Sequence, residues 1–165
     1  MTMYATVDSP LGELLLVGAP STRGPALTSL TMAGQRGETR PRADWVEDRP
    51  AFADIAAQLH AYFTGAATAF DIERGAGGSE FQRRVWSVLD TIPYGTTVTY
   101  GEVTTRAGMP RERVRAVASA IGANPVSIIR PCHRVIGANG SLTGYAGGLA
   151  RKQRLLEMEG VLLAT

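Results

Sequence analysis

The sequence contains few of the residues from which disulfides and metal sites are built. Its 165 residues include one cysteine, Cys132, and two histidines, His60 and His133. One thiol cannot close an internal disulfide, and one thiol with two imidazoles falls short of the ligand set of a structural zinc site. The sequence therefore excludes a disulfide-stabilised fold, predicts no metal centre and favours a reducing, cytoplasmic environment.

Long apolar runs are also missing. No run of about 18 apolar residues occurs, and the first residues lack the basic and apolar segments of an export signal. We therefore expect neither membrane insertion nor export. Apolar residues still make up 44% of the chain and charged residues 19%, a balance typical of a folded domain with a buried core.

Charge is unevenly distributed along the chain. Residues 1–75 contain six basic and nine acidic residues, whereas residues 76–165 contain eleven basic and six acidic residues. The glycine-rich segment 74–78 lies where the charge changes and is typical of a linker. We therefore predict two domains, residues 1–75 and 76–165, and expect a polyanionic partner for the basic second domain.

The first domain has the pattern of a small antiparallel sheet followed by a helix. β-rich runs at residues 3–8, 12–17 and 26–32 are separated by turns rich in Gly, Pro and Ser. Apolar residues at helical spacing then predict a helix over residues 48–63. His60 lies in this helix, where we expect an ordinary packing or surface role.

The second domain begins with a helix signal. Ser79 and Gln82 form a capping box. The helix that follows presents an apolar face and stops before Pro93. The face consists of Phe81, Val85, Trp86 and Leu89.

A helix-turn-helix is predicted next. Thr99 and Glu102 form a second capping box for a short helix that Gly108 ends, and Pro110 starts a longer helix. The longer helix carries an apolar face made of Val114, Val117, Ala118 and Ile121. Because many helical hairpins never meet DNA, this motif alone is weak evidence for DNA binding.

The lone thiol has unusual neighbours. Cys132 lies in residues 126–136, a segment rich in β-branched residues that predicts an extended strand. Free cysteines are usually inert packing residues. Here His133 follows directly, and Arg130 and Arg134 flank the pair. Cationic or proton-accepting neighbours lower the pKa of a thiol, so this pattern favours a nucleophilic cysteine.

The adjacency of Cys132 and His133 constrains their geometry. Consecutive side chains on a strand point to opposite faces, so a hydrogen bond between them needs a local turn or a bridging water. Pro131 favours such a bend. A histidine that acts as a base also needs an orienting partner, and Glu157 and Glu159 are both candidates. Without a second thiol, a disulfide-exchange cycle within the chain is excluded.

The segment Pro131-Cys132-His133-Arg134-Val135 resembles the active-site signature of the O6-alkylguanine-DNA alkyltransferases, also called methylated-DNA–protein-cysteine methyltransferases. The resemblance is specific over residues 79–160 and looser before them. The further matching segments, in family order, are Phe81-Gln82, Val85-Trp86, Ile92-Pro93-Tyr94-Gly95, Tyr100-Gly101-Glu102, Arg115-Ala116-Val117, Asn124-Pro125 and Gly144-Tyr145-Ala146-Gly147-Gly148.

The resemblance implies both a fold and an activity. The implied α/β fold has a ribonuclease H-like N-terminal domain, with a small antiparallel sheet and a helix. A mainly helical, winged helix-turn-helix C-terminal domain carries the cysteine. The implied reaction is stoichiometric, irreversible transfer of an alkyl group from O6-alkylguanine in double-stranded DNA to the protein, with O4-alkylthymine as a second candidate lesion. No metal, organic cofactor or nucleotide is implied. A monomer is expected, with cooperative assembly on DNA as a further possibility.

The resemblance also assigns roles to individual residues. Cys132 would accept the alkyl group, and His133 would relay its proton through a water to Glu159. Asn124 would brace the turn beside the site. Tyr100 would protonate the departing guanine and contact DNA.

The same resemblance places the second helix of the motif in the minor groove, where readout is degenerate and a repair protein needs little sequence preference. Arg115 would replace the flipped nucleotide in the base stack, with Ala116 and Ser119 beside the DNA. The substrate pocket would be lined by Tyr145, Ala146, Gly147 and Val135.

Three features depart from the family pattern. Arg113 and Val114 are bulkier than the small residues usual before the finger arginine. Ala146 replaces a hydroxyl residue beside the pocket tyrosine, and Arg130 stands where an aliphatic residue is usual.

Three other functions compete with repair. An alkyltransferase-like protein would bind lesions without repairing them, but such proteins lack the acceptor cysteine. A winged helix-turn-helix regulator would share the basic half without needing Cys132 and His133. A thiol hydrolase would use the same pair for many turnovers, whereas repair consumes the protein in one.

Overall fold

The computed structural model describes residues 1–161, and the chain divides into two compact units between Ala76 and Gly77. The first unit contains β1 (Met3–Val7), β2 (Leu14–Ser21), β3 (Gly24–Met32), β4 (Val46–Glu47), a 3-10 helix (Pro50–Phe52) and α1 (Ala53–Phe63). The second contains α2 (Glu80–Leu89), β5 (Val98–Thr99), α3 (Tyr100–Arg106), a 3-10 helix (Arg111–Arg113), α4 (Val114–Gly122), a 3-10 helix (Cys132–Arg134), β6 (Val135–Ile136) and α5 (Leu149–Met158). The predicted mixed α/β class is confirmed.

The predicted antiparallel meander is also confirmed. β1 pairs with β2, and β2 pairs with β3, both antiparallel. The short strand β4, which the sequence analysis missed, pairs parallel to β1 and gives the order β3-β2-β1-β4. A register shift lies between Val17 and Gly18, where a Cβ on Gly18 would stand 2.7 Å from the Ala26 carbonyl oxygen. The close approach of the two backbones therefore requires glycine at position 18.

Helix α1 contributes the helical part of the first core. Ile55, Leu59 and Tyr62 recur at helical spacing and are buried, whereas His60 is exposed, as expected for a surface residue. The preceding turn, Pro50–Phe52, is a 3-10 helix rather than the start of the predicted α-helix.

The predicted linker at residues 74–78 is shorter than expected. The Leu27 amide donates to the Glu73 carbonyl at 2.8 Å, and the Gly75 amide donates to the Leu27 carbonyl at 2.9 Å. Arg74 thus forms a parallel bridge with β3 instead of belonging to a free connection. The glycine count alone could not show that this backbone is paired.

Within residues 77–161, the second unit contains four α-helices and a small parallel sheet of β5 and β6. Ser79 begins α2 with the predicted capping box: its hydroxyl accepts from the Gln82 amide, and the Gln82 side chain accepts from the Ser79 amide. The predicted apolar face of α2 points into the core. The buried core comprises Val85, Trp86, Leu89, Ile92, Val98, Val103, Val117, Ala120, Ile121, Cys132 and Val135.

The helix-turn-helix differs from the prediction in two details. Thr99 caps α3, because its hydroxyl accepts from the Glu102 amide. In a full capping box the Glu102 carboxylate would accept from the Thr99 amide, but here it accepts from the Thr99 hydroxyl at 3.3 Å. The second α-helix begins at Val114 rather than Pro110, because a 3-10 turn intervenes. Gly108 ends the first helix at φ 73°, as predicted.

Among residues 1–161, no helix combines the length and the apolar character needed to cross a membrane.

Candidate active site

The thiol is carried by a tight turn rather than by a strand. The prediction of an extended segment over residues 126–136 is wrong: Cys132–Arg134 form a 3-10 helix, and the strand in this segment is Val135–Ile136. Ile128 before it adopts φ 75°, and Pro131 has ψ 62°. β-branched residues favour strands only where a partner strand is available, and here the chain turns back on itself.

Asn124 closes this turn from inside. Its Nδ2 donates to the Arg130 carbonyl at 3.0 Å, and its Oδ1 accepts from the Val126 amide at 3.1 Å. The Arg130 carbonyl also accepts from the Cys132 amide at 2.8 Å. The Asn124 side chain and the Cys132 amide therefore donate to the same acceptor, the Arg130 carbonyl oxygen.

The Cys132 thiol is nearly enclosed, with only 7% of the residue exposed. Burial raises the pKa of the thiol, while a hydrogen bond from Asn124, the charge of Lys152 and a hydrogen bond from Ser127 act in the opposite direction. Arg130 and Arg134, which were expected to lower this pKa, are engaged elsewhere. Their side chains pair with carboxylates, Asp90 and Glu159 respectively.

The Glu159 carboxylate accepts hydrogen bonds from several groups of the site. Arg134 donates to it through Nε (2.8 Å, to Oε1) and Nη2 (2.9 Å, to Oε2), a forked pairing that fixes both groups. The Gly95 amide donates to Oε1 at 3.3 Å, and the third guanidinium nitrogen of Arg134 donates to the Ile92 carbonyl at 2.6 Å. Glu157, the other candidate, is exposed and accepts from Gln153.

His133 is oriented by that carboxylate. Its Nε2 lies 2.8 Å from Glu159 Oε2, and both side chains are fully buried. Because a carboxylate accepts, the imidazole donates from Nε2 and its Nδ1 is the unprotonated nitrogen. Burial lowers the pKa of His133, so the ring is neutral near neutral pH. Within residues 1–161, Nδ1 has no hydrogen-bond partner, which leaves a basic nitrogen next to the cysteine in the chain.

The predicted pocket residues lie in two environments. Tyr145, Ala146 and Gly147 are half-buried in the loop before α5, and Tyr145 packs against the core that contains Cys132. Val135 is fully buried in that core and pairs with Val98 across the β5–β6 sheet. Its side chain packs in the same core cluster as Cys132, and its predicted place in the pocket stays a prediction.

Helix α4 presents the predicted DNA-contacting residues on its outer side. Arg115 and Ser119 are exposed and stand one turn apart, and Ala116 is half-buried. Ala120 instead faces the core, where its carbonyl accepts from the Trp86 indole at 2.8 Å. Arg113 stacks over the Phe81 ring at 5.1 Å.

Comparison with known proteins agrees with this geometry. Residues 2–74 match the ribonuclease-like domain of 6-O-methylguanine DNA methyltransferase, and residues 80–161 match its DNA-binding domain. A methylated-DNA–protein-cysteine methyltransferase of Mycolicibacterium paratuberculosis is 55% identical over 96% of this chain and 93% of its own length. The chain belongs to the methylated-DNA–protein-cysteine methyltransferase family.

Other members of this methyltransferase family are similar throughout. One from Methanosarcina acetivorans is 46% identical over 95% of this chain and 97% of the relative. The crystal structure of Mycobacterium tuberculosis OGT in complex with DNA has a TM-score of 0.86 at 50% identity and covers 95% of this chain and 92% of that one. The predicted ribonuclease-like N-terminal domain is thereby confirmed.

Lys152 is a buried residue near the candidate site that the sequence analysis did not single out. It is fully buried on α5, and its Nζ donates to the carbonyls of Thr143 (2.7 Å) and Gly144 (3.2 Å). The Tyr100 hydroxyl donates to the same Thr143 carbonyl at 3.0 Å, and Lys152 Nζ lies 5.9 Å from the Tyr100 ring centroid. The sequence did offer one hint of its importance: Lys152 is the single lysine of the chain.

Burial lowers the pKa of Lys152 to about 8 from an ordinary value of 10.5. Between these values the unfolded chain binds a proton that the folded protein does not, so the contribution of Lys152 to the free energy of unfolding rises with pH across that window. Below pH 8 the lysine is charged in both states and burial of the charge opposes folding; above pH 10.5 it is neutral in both.

Lys152→Met is expected to remove this dependence. The free energy of unfolding of the unsubstituted protein minus that of the variant should increase from pH 8 to pH 10.5, measured by urea denaturation at each pH. Lost hydrogen bonds to the two carbonyls add an offset that does not change the slope. A difference that stays level over this range would contradict the assignment.

Proposed function

We propose that the protein repairs O6-alkylguanine in double-stranded DNA by transferring the alkyl group to Cys132 in one irreversible, stoichiometric step. The observation that carries the proposal is the arrangement of Cys132, His133 and Glu159. A lone thiol is followed by a neutral imidazole whose Nε2 is held by a buried carboxylate at 2.8 Å. The unprotonated Nδ1 is then available to take the thiol proton.

The chemistry needs a base because burial raises the pKa of the thiol. His133 Nδ1 accepts the proton of Cys132 through a bridging water, and Glu159 stabilises the resulting imidazolium. The thiolate sulfur attacks the alkyl carbon, an S–C bond forms and the C–O bond to guanine breaks. The electron pair stays on the base, which takes up a proton as it leaves. No redox partner is required, and the thioether has no route back to the thiol within the chain.

Tyr100 is the proposed proton donor to the departing base. Its phenol lies beside the loop that contains Thr143 and Gly144, and a Cβ on Gly144 would be 3.7 Å from the Tyr100 hydroxyl. The same loop continues into Tyr145, Ala146 and Gly147, which we propose as one wall of the base pocket. Asn124 would keep the cysteine turn in position, as its hydrogen bonds to the turn support.

The target atom of a stacked guanine is inaccessible, so the nucleotide must be flipped out at a cost of a few kcal/mol. The exposed face of α4, with Arg115, Ala116 and Ser119, is the proposed minor-groove contact. We assign DNA binding and transfer to residues 76–165 and a structural role to residues 1–75, in a protein that acts as a monomer. A thiol that must stay reduced fits action in the cytoplasm.

Intact-mass measurement tests the proposal. After incubation with duplex DNA containing O6-methylguanine, the protein should gain the mass of one CH2 unit, located by peptide mapping on the peptide with Cys132. A regulator or a lesion-binding protein gains nothing. A thiol hydrolase turns over an ester repeatedly and keeps no added mass. An unmodified protein after complete incubation would refute the proposed transfer.

Arg115→Ala is expected to slow transfer on duplex DNA about tenfold, because the arginine offsets part of the cost of flipping, about 1.4 kcal/mol for that factor. Transfer from the free O6-alkylguanine base should be unchanged, since no stack is opened. Arg154→Ala, which removes an exposed arginine from α5, is the matched control. Equal rates of Arg115→Ala and unsubstituted protein on duplex DNA would remove Arg115 from the mechanism.

A further inference from the structure

Arg130 is tied to the cysteine turn by its backbone and to helix α2 by its side chain. Its carbonyl accepts from the amide of Cys132 (2.8 Å) and from Nδ2 of Asn124 (3.0 Å). Its guanidinium lies 5.0 Å from the centroid of the Trp86 ring, and its Nε is 3.3 Å from Asp90 Oδ1. Only 12% of the Arg130 side chain is exposed. Arg130 therefore connects the cysteine to a second element of the domain.

The two residues that contact the Arg130 guanidinium, Trp86 and Asp90, are themselves held in place by other contacts. The Trp86 indole donates to the Ala120 carbonyl at 2.8 Å and is buried. Gly78 approaches the ring so closely that a Cβ there would stand 2.6 Å from it. Asp90 is the C-terminal cap of α2, with its amide bonded to the last turn of the helix. Both partners of Arg130 are thus held by contacts of their own.

The cysteine turn requires support of this kind. Ile128 adopts φ 75°, a region that β-branched residues rarely occupy. A strained backbone persists only where surrounding contacts over-determine it. Asn124 supplies such contacts inside the turn, through the Val126 amide and the Arg130 carbonyl. The side chain of Arg130 supplies contacts from the turn to α2.

We propose that Arg130 is a positioning residue for alkyl transfer: its clamp on Trp86 and Asp90 holds the cysteine turn so that Sγ of Cys132 faces the incoming alkyl carbon. The inference rests on the proposed function. Arg130 acts through the backbone and does not touch the substrate.

The test compares Arg130→Met, Arg130→Lys and unsubstituted protein. Methionine keeps an apolar contact with Trp86 but loses the ion pair and the planar stack, whereas lysine keeps the charge. Arg23→Met is the matched control, because it removes the 2.9 Å ion pair of Arg23 with Asp71 in the first unit. Single-turnover transfer is measured from methylated duplex DNA and from the free O6-alkylguanine base, with the dissociation constant for DNA determined separately.

Arg130→Met should slow transfer from both substrates by the same factor, about tenfold, because a misplaced nucleophile is slower toward every substrate. The dissociation constant for DNA should stay within about twofold. The transfer rates of Arg130→Lys should lie between those of Arg130→Met and the unsubstituted protein. Arg23→Met should transfer at the rate of the unsubstituted protein. Circular dichroism must show that each variant is folded at the assay temperature. A folded variant that loses transfer equally from both substrates but keeps its DNA affinity is not explained by a general loss of stability.

Two results would overturn the inference. Slower transfer on duplex DNA alone, with weaker DNA binding, would make Arg130 a DNA contact; unchanged rates on both substrates would give it no role. If Arg130→Met is unfolded, Asp90→Asn is used, which removes the ion pair and should lower both rates in parallel by a smaller factor. Unsubstituted protein that transfers nothing overturns the proposed function itself, and the role of Arg130 with it.

Discussion

Glu159→Ala is expected to lower the free energy of unfolding by about 3–5 kcal/mol, because it leaves a buried guanidinium without its counter-charge. Arg134 is only 8% exposed in its side chain and directs Nε and Nη2 at the two Glu159 oxygens, at 2.8 and 2.9 Å. The fully buried His133 loses its orienting acceptor in the same variant. Urea denaturation followed by circular dichroism measures the loss.

Two further variants separate the causes. Glu157→Ala removes an exposed carboxylate two residues away and should change stability by no more than about 0.5 kcal/mol. Arg134→Met combined with Glu159→Ala removes both charges and should recover much of the loss, since the penalty comes from the unpaired partner. A double variant as unstable as Glu159→Ala alone would show that the lone charge is not the cause.

Cys132→Ala is expected to abolish alkyl transfer completely while leaving the dissociation constant for methylated duplex DNA within about twofold. The sulfur is the proposed acceptor, and the exposed face of α4 that would contact DNA does not include it. Intact mass after incubation measures transfer, and fluorescence anisotropy measures DNA binding.

Cys132→Ser is the control for shape. A hydroxyl occupies nearly the same space but is a far weaker nucleophile at its ordinary pKa, so this variant should also show no gain in mass. Transfer to either variant would mean that another residue accepts the alkyl group. Loss of DNA affinity in parallel with loss of transfer would give the cysteine a structural role.

The outcome at the cysteine shows where local patterns stop being informative. β-branched residues around Cys132 predicted a strand, but a strand requires a neighbouring strand to bond, and here Asn124 and the Arg130 carbonyl bond the backbone into a turn. The two flanking arginines were expected to act on the thiol. In the fold their side chains pair with Asp90 and Glu159, and the charge of Lys152, a residue 20 positions further along the chain, acts on the thiol.

The amino-acid sequence by itself determined the family, the antiparallel meander, the capped helix α2, the helix-turn-helix and the single thiol, because each depends on neighbouring residues, on composition or on a motif. The residues by themselves left Glu157 and Glu159 open as partners of His133, and the family resemblance chose Glu159, which the tertiary structure places 2.8 Å from His133 Nε2. Only the tertiary structure decided that the Arg130 side chain contacts α2 and that Lys152 donates to the Thr143 carbonyl. His133 and Glu159 stand 26 residues apart, and Arg130 and Asp90 stand 40 apart. Contacts over such distances depend on how helices and turns pack, which no local pattern specifies.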